Sequence, residues 1–96
     1  MAAAFEDLHD ATLVHVDFTW ETGVVDIRLR TALNPAFLLR IINATALHAT
    51  RYFEWGPSAQ VNTVTVSEES FDIEMQSGDT IRITGNINTP LKIEAN

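Results

Sequence analysis

The chain has 96 residues and a mass of 10.7 kDa, which is the size of a single domain, 1–96, with one modest hydrophobic core. Apolar residues make up 46% and charged residues 20%, and no apolar run approaches the roughly 20 residues that cross a bilayer, so the composition is globular and excludes membrane insertion. The formal charge of −7 opposes binding to nucleic acid or to an anionic membrane, and it favours a cationic partner.

The cellular compartment is inferred from the cysteine count and from the first residues. The chain has no cysteine, which excludes disulfides, thiolate metal sites and cysteine nucleophiles. The segment before Leu8 has no basic residue and contains Glu6 and Asp7, unlike a secretory signal peptide. We therefore expect a cytoplasmic protein.

The first predicted element is a hairpin around a turn at 21–23, because apolar and polar residues alternate on both sides of it. The residues expected to face the core are Val14, Val16, Phe18, Trp20, Val25, Ile27 and Leu29. Of two possible registers, one sets Asp17 opposite Arg28 and the other sets Asp17 opposite Asp26. Like charges directly opposite each other are unfavourable, so we expect the first register, which pairs Trp20 with Val25.

The middle segment, 36–53, is compatible with two interpretations. Asn34-Pro35 is able to begin a helix, and apolar residues follow near helical spacing, which would give an α+β fold with a helix near 36–48. In contrast, the stretches 39–43 and 47–53 are rich in β-branched and aromatic residues, with no helix stop signal between them. The sequence therefore favours two further strands.

A second hairpin is predicted over 71–84, with a three-residue loop at 77–79. Its expected register pairs Met75 with Ile81 and Glu74 with Arg82. The residues expected to face the core are Phe71, Ile73, Met75, Ile81 and Ile83. A short edge strand at 91–93 follows a break containing Pro90. Taken together, these elements predict an all-β chain, a single antiparallel β-sandwich or open barrel with a meander of about seven or eight strands.

Candidate chemistry begins with His9-Asp10, because imidazole and carboxylate are metal ligands and also acid–base groups. The spacing of the histidines does not bring three ligands together, so we expect no metal site and no cofactor. Serines lie in turns without a nucleophile motif, and the glycines are scattered singly, so we expect no enzyme. The hypothesis retained for an enzyme is a small hydrolase or lyase that uses His9, Asp10 and Glu54.

The segment 52–62 combines an aromatic cluster with Gly56-Pro57, which predicts a stiff loop with a large apolar surface. Such a loop serves either as an interface anchor or as a cover for one end of the sheet. Since large aromatic residues are rarely left fully exposed, we expect Trp55 to be at least partly buried against the sheet. We also expect His9, Asp10 and the loop around Glu54 to be neighbours, without a metal.

Three motifs carry a resemblance to known proteins: Leu8-His9-Asp10-Ala11, Trp55-Gly56-Pro57-Ser58 with Val61-Asn62, and Glu74-Met75-Gln76-Ser77-Gly78-Asp79. Together they resemble a family of small uncharacterised bacterial proteins of about this length, which implies a compact bacterial β-domain and no particular activity. The opening motif is also distantly similar to immunity proteins that neutralise polymorphic toxins. That similarity implies capture of a cationic toxin, for which an acidic protein is suited.

The predicted function is therefore that of a non-enzymatic binding or interaction module. The candidate binding surface consists of His9, Asp10, Tyr52, Glu54, Trp55 and Asn62. The expected partner is a cationic protein, with no nucleic acid and no membrane. Pairing of the edge strand at 91–93 with a second copy of the chain is a further possibility.

Overall fold

The computed structural model describes residues 8–32, 37–85 and 91–94, with side chains for the first two ranges. These ranges contain eight strands and no α-helix, which confirms the all-β prediction. The strands are β1 (Thr12–Thr19), β2 (Val24–Arg30), β3 (Phe37–Ile41), β4 (Ala44–Ala49), β5 (Val61–Val66), β6 (Ser70–Met75), β7 (Thr80–Gly85) and β8 (Leu91–Glu94). A helix long and apolar enough to cross a membrane does not occur in the described residues. The expected break at 86–90 and the proposed cap at Asn34-Pro35 lie outside them.

The strands form two antiparallel four-stranded sheets, with the orders β1-β2-β3-β8 and β4-β7-β6-β5. Three consecutive strands make a meander within each sheet. β4 then lies beside β7, which gives the second sheet a Greek-key order, and β8 lies at an edge beside β3, as predicted for an edge strand. The two sheets face each other as a β-sandwich.

The core lies between the two sheets and contains inward-facing residues of both. It includes every core residue predicted for the second hairpin, each no more than 5% exposed. The buried apolar cluster consists of Leu8, Ala11, Val25, Ile27, Leu29, Leu39, Ile41, Ala44, Val61, Phe71, Ile73, Met75, Ile81 and Ile83. Burial of these side chains is the main favourable term in folding.

Backbone hydrogen bonds join the two sheets along one side of the sandwich. The Asp10 N–H donates to the Val61 carbonyl at 2.8 Å, and the Val61 N–H donates to the Ala11 carbonyl at 2.9 Å. The Leu13 N–H donates to the Ala59 carbonyl at 2.7 Å. These bonds hold the start of β1 against the start of β5 and so place His9 and Asp10 beside the 50–60 loop.

The helical alternative for the middle segment is wrong for residues 37–49, which form β3 and β4. The chain passes from one sheet to the other between these strands, where Asn43 adopts a positive φ of 61°. Asparagine tolerates this left-handed conformation better than most residues. β4 ends at Ala49, so the predicted continuation of the strand through 50–53 is a loop instead.

The expected register of the first hairpin is wrong, because Asp17 lies opposite Asp26 and Phe18 lies opposite Val25. The repulsion is relieved by other partners. The Arg40 Nε donates to Asp26 at 2.7 Å from the neighbouring β3, and the His15 side chain bonds to Asp17 at 2.7 Å along β1. The Arg40 hydrogen bonds hold the pKa of Asp26 below its ordinary value, although partial burial opposes this shift.

A bulge in β1 changes which of its residues face the core. The register shifts between Leu13 and His15, so Leu13 packs against the core while Val14 is 53% exposed. The prediction that Val14 faces inward is therefore wrong. Trp20, which was also expected inside, is 87% exposed in the turn after β1.

In the second hairpin the facing pattern is confirmed, but the register of β6 against β7 is shifted by two residues from the expected one. Ile73 lies opposite Ile81, and Asp72 rather than Glu74 lies opposite Arg82. The loop is 76–78 instead of 77–79, since the Met75 N–H donates to the Asp79 carbonyl at 2.8 Å. Asp79 therefore belongs to the end of the ladder, where its side chain binds a different part of the chain.

Candidate functional site

Asp79 organises the loop that follows β4. Its carboxylate accepts the backbone N–H groups of Tyr52 at 2.6 Å and Phe53 at 2.9 Å. It also accepts the hydroxyl groups of Thr50 at 2.9 Å and Ser77 at 2.7 Å. Asp79 is only 4% exposed, and this burial by itself raises the pKa of its carboxyl; the four hydrogen bonds outweigh burial and lower the pKa to about 2. The loop is thereby fixed by an ionised, fully paired carboxylate.

Trp55 is held on this loop but is not buried. Its backbone N–H donates to the Ser77 carbonyl at 3.0 Å, and its ring lies over Gly78. A Cβ atom at Gly78 would lie 2.9 Å from the Trp55 Cδ2, so the close approach requires glycine. The hairpin turn covers part of one ring face only, and Trp55 stays 71% exposed. The prediction that Trp55 is at least partly buried against the sheet is wrong, because its ring contacts the hairpin turn at Gly78 and the residue remains mostly exposed.

A shallow hollow lies beside the exposed Trp55 ring. Its lining side chains are those of His9, Asp10, Trp55, Asn62 and Gln76. The turn before β1 supplies the first two of them, the loop supplies the tryptophan, and β5 and the β6–β7 turn supply the two amides. Four of the six residues predicted as a binding surface therefore meet at one place.

Hydrogen bonds fix the polar side chains of the hollow. The His9 Nδ1 donates to the Asn62 carbonyl at 2.7 Å, and its Nε2 lies 3.7 Å from Asp10 Oδ1. The Gln76 amide donates to the same Asp10 oxygen, and the Asn62 amide donates to Glu74 at 2.8 Å. His9 and Asp10 are thus neighbours of the 50–60 loop, as expected, but they meet it at Trp55 and not at Glu54.

Two of the predicted surface residues lie outside the hollow. Glu54 precedes Trp55 and is exposed, but it is not among the residues that line the hollow. Tyr52 is 75% exposed, and its backbone rather than its ring is tied to Asp79. Among the described residues there is no group of three His, Asp or Glu side chains with the geometry to hold a metal ion.

Sequence reasoning missed Gln76 and Asp79 as parts of this site. Both fall in a segment that has the appearance of an ordinary hairpin loop, and their contacts are with residues far away in the chain. The three motifs singled out in the sequence did indicate this site. Each of them contributes at least one side chain that lines the hollow or that holds the Trp55 loop in place.

Comparison of the chain with protein-family models, with curated proteins and with solved structures found no match. The resemblance to small bacterial proteins and to immunity proteins therefore stays a prediction. Any functional conclusion has to be drawn from the site itself.

Proposed function

We propose that this protein is a non-enzymatic binding module whose contact surface is centred on Trp55. The observation that carries the proposal is the convergence of three distant segments on a hollow beside an exposed, rigidly held tryptophan. Tryptophan is among the residues most enriched at the energetic centres of protein interfaces. The hollow lies at the end of the sandwich where β1 and β5 meet.

The loop that presents Trp55 is ordered before any partner binds. Three hydrogen bonds to Asp79 fix residues 50–53, and the Gly56 N–H closes the turn by donating to the Phe53 carbonyl at 3.0 Å. A tryptophan held in one position loses little conformational entropy on binding. The fold therefore holds Trp55 in an exposed position, which supports a role of this residue in recognition.

The charges around Trp55 favour a cationic protein as the partner. Asp10 and Glu54 are exposed near the ring, and the half-buried Glu74 is bonded to Asn62 in the wall of the hollow. The chain as a whole carries −7, so its field attracts a basic protein and accelerates the encounter. Capture of a cationic toxin by an immunity protein in the bacterial cytoplasm is one function of this kind.

The alternative of a hydrolase or lyase has less support from the geometry. Glu54 does not line the hollow that His9 and Asp10 share. The His9 Nδ1 is committed to a backbone carbonyl, and the hollow is shallow, so a substrate would not be shielded from water. These features support binding in preference to catalysis.

The proposal is tested by comparing what tagged wild-type protein, Trp55→Ala and Trp20→Ala retain from a lysate of the native host. Trp20 is a matched control, because it is 87% exposed and follows the opposite end of β1. We expect one basic protein to be retained by wild type and by Trp20→Ala, and lost with Trp55→Ala. The retained protein is identified by mass spectrometry, and its dissociation constant is then measured with purified components.

The expected loss for Trp55→Ala is at least about 2 kcal/mol, or roughly thirtyfold in affinity, as for an interface hot spot. Binding should also weaken as salt is added, since the attraction is partly electrostatic. Equal retention by both tryptophan variants would contradict the proposed surface. An acidic partner would contradict the proposed charge complementarity.

A further inference from the structure

A second cavity, of about 580 Å³, lies beside the same loop and is separate from the hollow in its lining residues. β1 forms one wall, and the residues from the end of β4 to the start of the loop form another. The apolar side chains that line it include Leu13, Val14, Phe53, Ala59, Met75 and Ile81. Its volume and its mainly apolar lining are those of small-molecule sites, which measure about 300–1,000 Å³.

The β1 bulge contributes to this cavity. At the bulge Leu13 packs against the core and Val14 is exposed, and both line the cavity. Bulges are over-represented beside functional sites, where they redirect side chains.

The charged groups at the cavity differ in how they are paired. Asp79 is satisfied by its four hydrogen bonds, and His15 is bonded to Asp17 at 2.7 Å. Arg51 is exposed and has no carboxylate within ion-pair distance in the part of the chain that the structure describes. Its guanidinium is positioned 4.5 Å above the Phe53 ring, which itself lines the cavity.

Arg28, Arg30 and Arg51 have no ion pair among the described residues, and of these three Arg51 is the one that lines the cavity. Arg40 and Arg82, by comparison, each make a two-pronged contact with an aspartate. The guanidinium of Arg51 presents a planar set of donors that matches a carboxylate, beside a space that accepts an apolar body.

We infer that this cavity binds an amphipathic monocarboxylate, with its hydrocarbon body among the apolar side chains and its carboxylate on Arg51. The site shares no lining residue with the hollow beside Trp55. A ligand of this class satisfies both the apolar lining and the Arg51 guanidinium, whereas a neutral hydrocarbon would use only the lining and a cation would be repelled by Arg51.

The inference is tested by titrating the protein calorimetrically with octanoate, octan-1-ol and octylammonium, which share a chain and differ in the head group. We expect one octanoate per chain and at least tenfold weaker binding of the alcohol and of the amine. Arg51→Gln should weaken octanoate binding by about tenfold or more, as expected for loss of a charge-assisted hydrogen bond. Arg82→Gln removes the same charge on the outer face of the second sheet and should leave binding unchanged.

A second variant tests the location without touching a charge. Ala59 is exposed at the cavity wall, and Ala59→Phe places a ring in the space while the Ala59 carbonyl keeps its bond from Leu13. This variant should fold and lose octanoate binding. The inference is overturned by equal affinities for octanoate and octanol, by unchanged binding in Arg51→Gln or Ala59→Phe, or by no binding at all. Trp55→Ala should bind octanoate like wild type, because Trp55 does not line this cavity. Failure of octanoate binding and failure of protein binding at Trp55 can therefore be told apart.

Discussion

At the scale of single residues, Asp79 shows how a side chain in a turn determines the position of a distant loop. Its two oxygens accept four hydrogen bonds, three of which come from residues 50–53, and Ser77 supplies the fourth. A buried carboxylate is stable in its ionised form only when it is paired in this way. The loop carries both Trp55 and Arg51, so both proposed sites depend on Asp79.

This arrangement predicts how stability changes in acid. The pKa of Asp79 is lowered to about 2 in the folded protein from an ordinary value of 3.8. Its contribution to stability is therefore fully present above about pH 4 and is lost as the pH falls toward about 2. Asp26, whose pKa is also lowered, adds a loss in the same direction.

Urea unfolding between neutral pH and about pH 2 measures this effect. Asp79→Asn should be less stable than wild type at neutral pH and should lose less stability on acidification. Asp72→Asn removes an outer-face carboxylate and should keep the acid dependence of wild type, because Asp79 is intact. If Asp79→Asn and wild type showed the same pH profile, the pairing of Asp79 would be disproved.

At the scale of elements, the β6–β7 hairpin shows that alternation and register are separate pieces of information. The expected and the observed registers place the same residues inside, because they differ by two residues and side chains alternate with a period of two. The expected register paired Glu74 with Arg82. The structure pairs Arg82 with Asp72 instead, at 2.7 Å, since Asp79 joins the ladder and the three-residue loop moves to 76–78.

The buried face of this hairpin can be tested by removing one side chain. Ile83 is fully buried at 0% exposure, opposite Phe71 on β6. Ile83→Ala should lower the free energy of unfolding by about 2–5 kcal/mol, because it leaves a cavity in the core. Thr65→Val, on the exposed face of β5, is the control and should change stability by no more than about 0.5 kcal/mol. If urea unfolding showed only a small effect of Ile83→Ala, the assignment of this face of the hairpin to the core would be wrong.

At the scale of the whole molecule, the end of the sandwich remote from Trp55 is where the chain crosses between sheets. The Ala44 N–H donates to the Gly23 carbonyl at 2.9 Å, which joins the β3–β4 crossing to the first hairpin turn. Gly85, at the end of β7, adopts a φ of 155° and lies so close to Asn43 that a Cβ atom would collide with its carbonyl oxygen. The two sheets are thus held together by backbone contacts at this end.

Gly85→Ala should therefore cost roughly 1–3 kcal/mol or more, through overpacking against the crossing. Gly56→Ala is the control, because Gly56 also has a positive φ, of 104°, but a Cβ atom there meets no atom within 4 Å. The control retains the backbone strain without the collision. Thermal or urea unfolding that showed Gly56→Ala to be the more damaging change would contradict this account of the crossing.

The sequence by itself determined the all-β class, the strand-forming segments and most of the core, because side-chain alternation is a local property set by burial of one face. It also identified His9, Asp10, Trp55 and Asn62 as unusual. Tertiary structure decided the registers, the β1 bulge, the exposure of Trp55 and the grouping of motifs around one hollow. Each of these depends on contacts between residues far apart in the chain: Arg40 neutralises Asp26, and Asp79 holds Tyr52 and Phe53. Such partners compete with local charge pairing, so which pair forms is known only when the chain has folded.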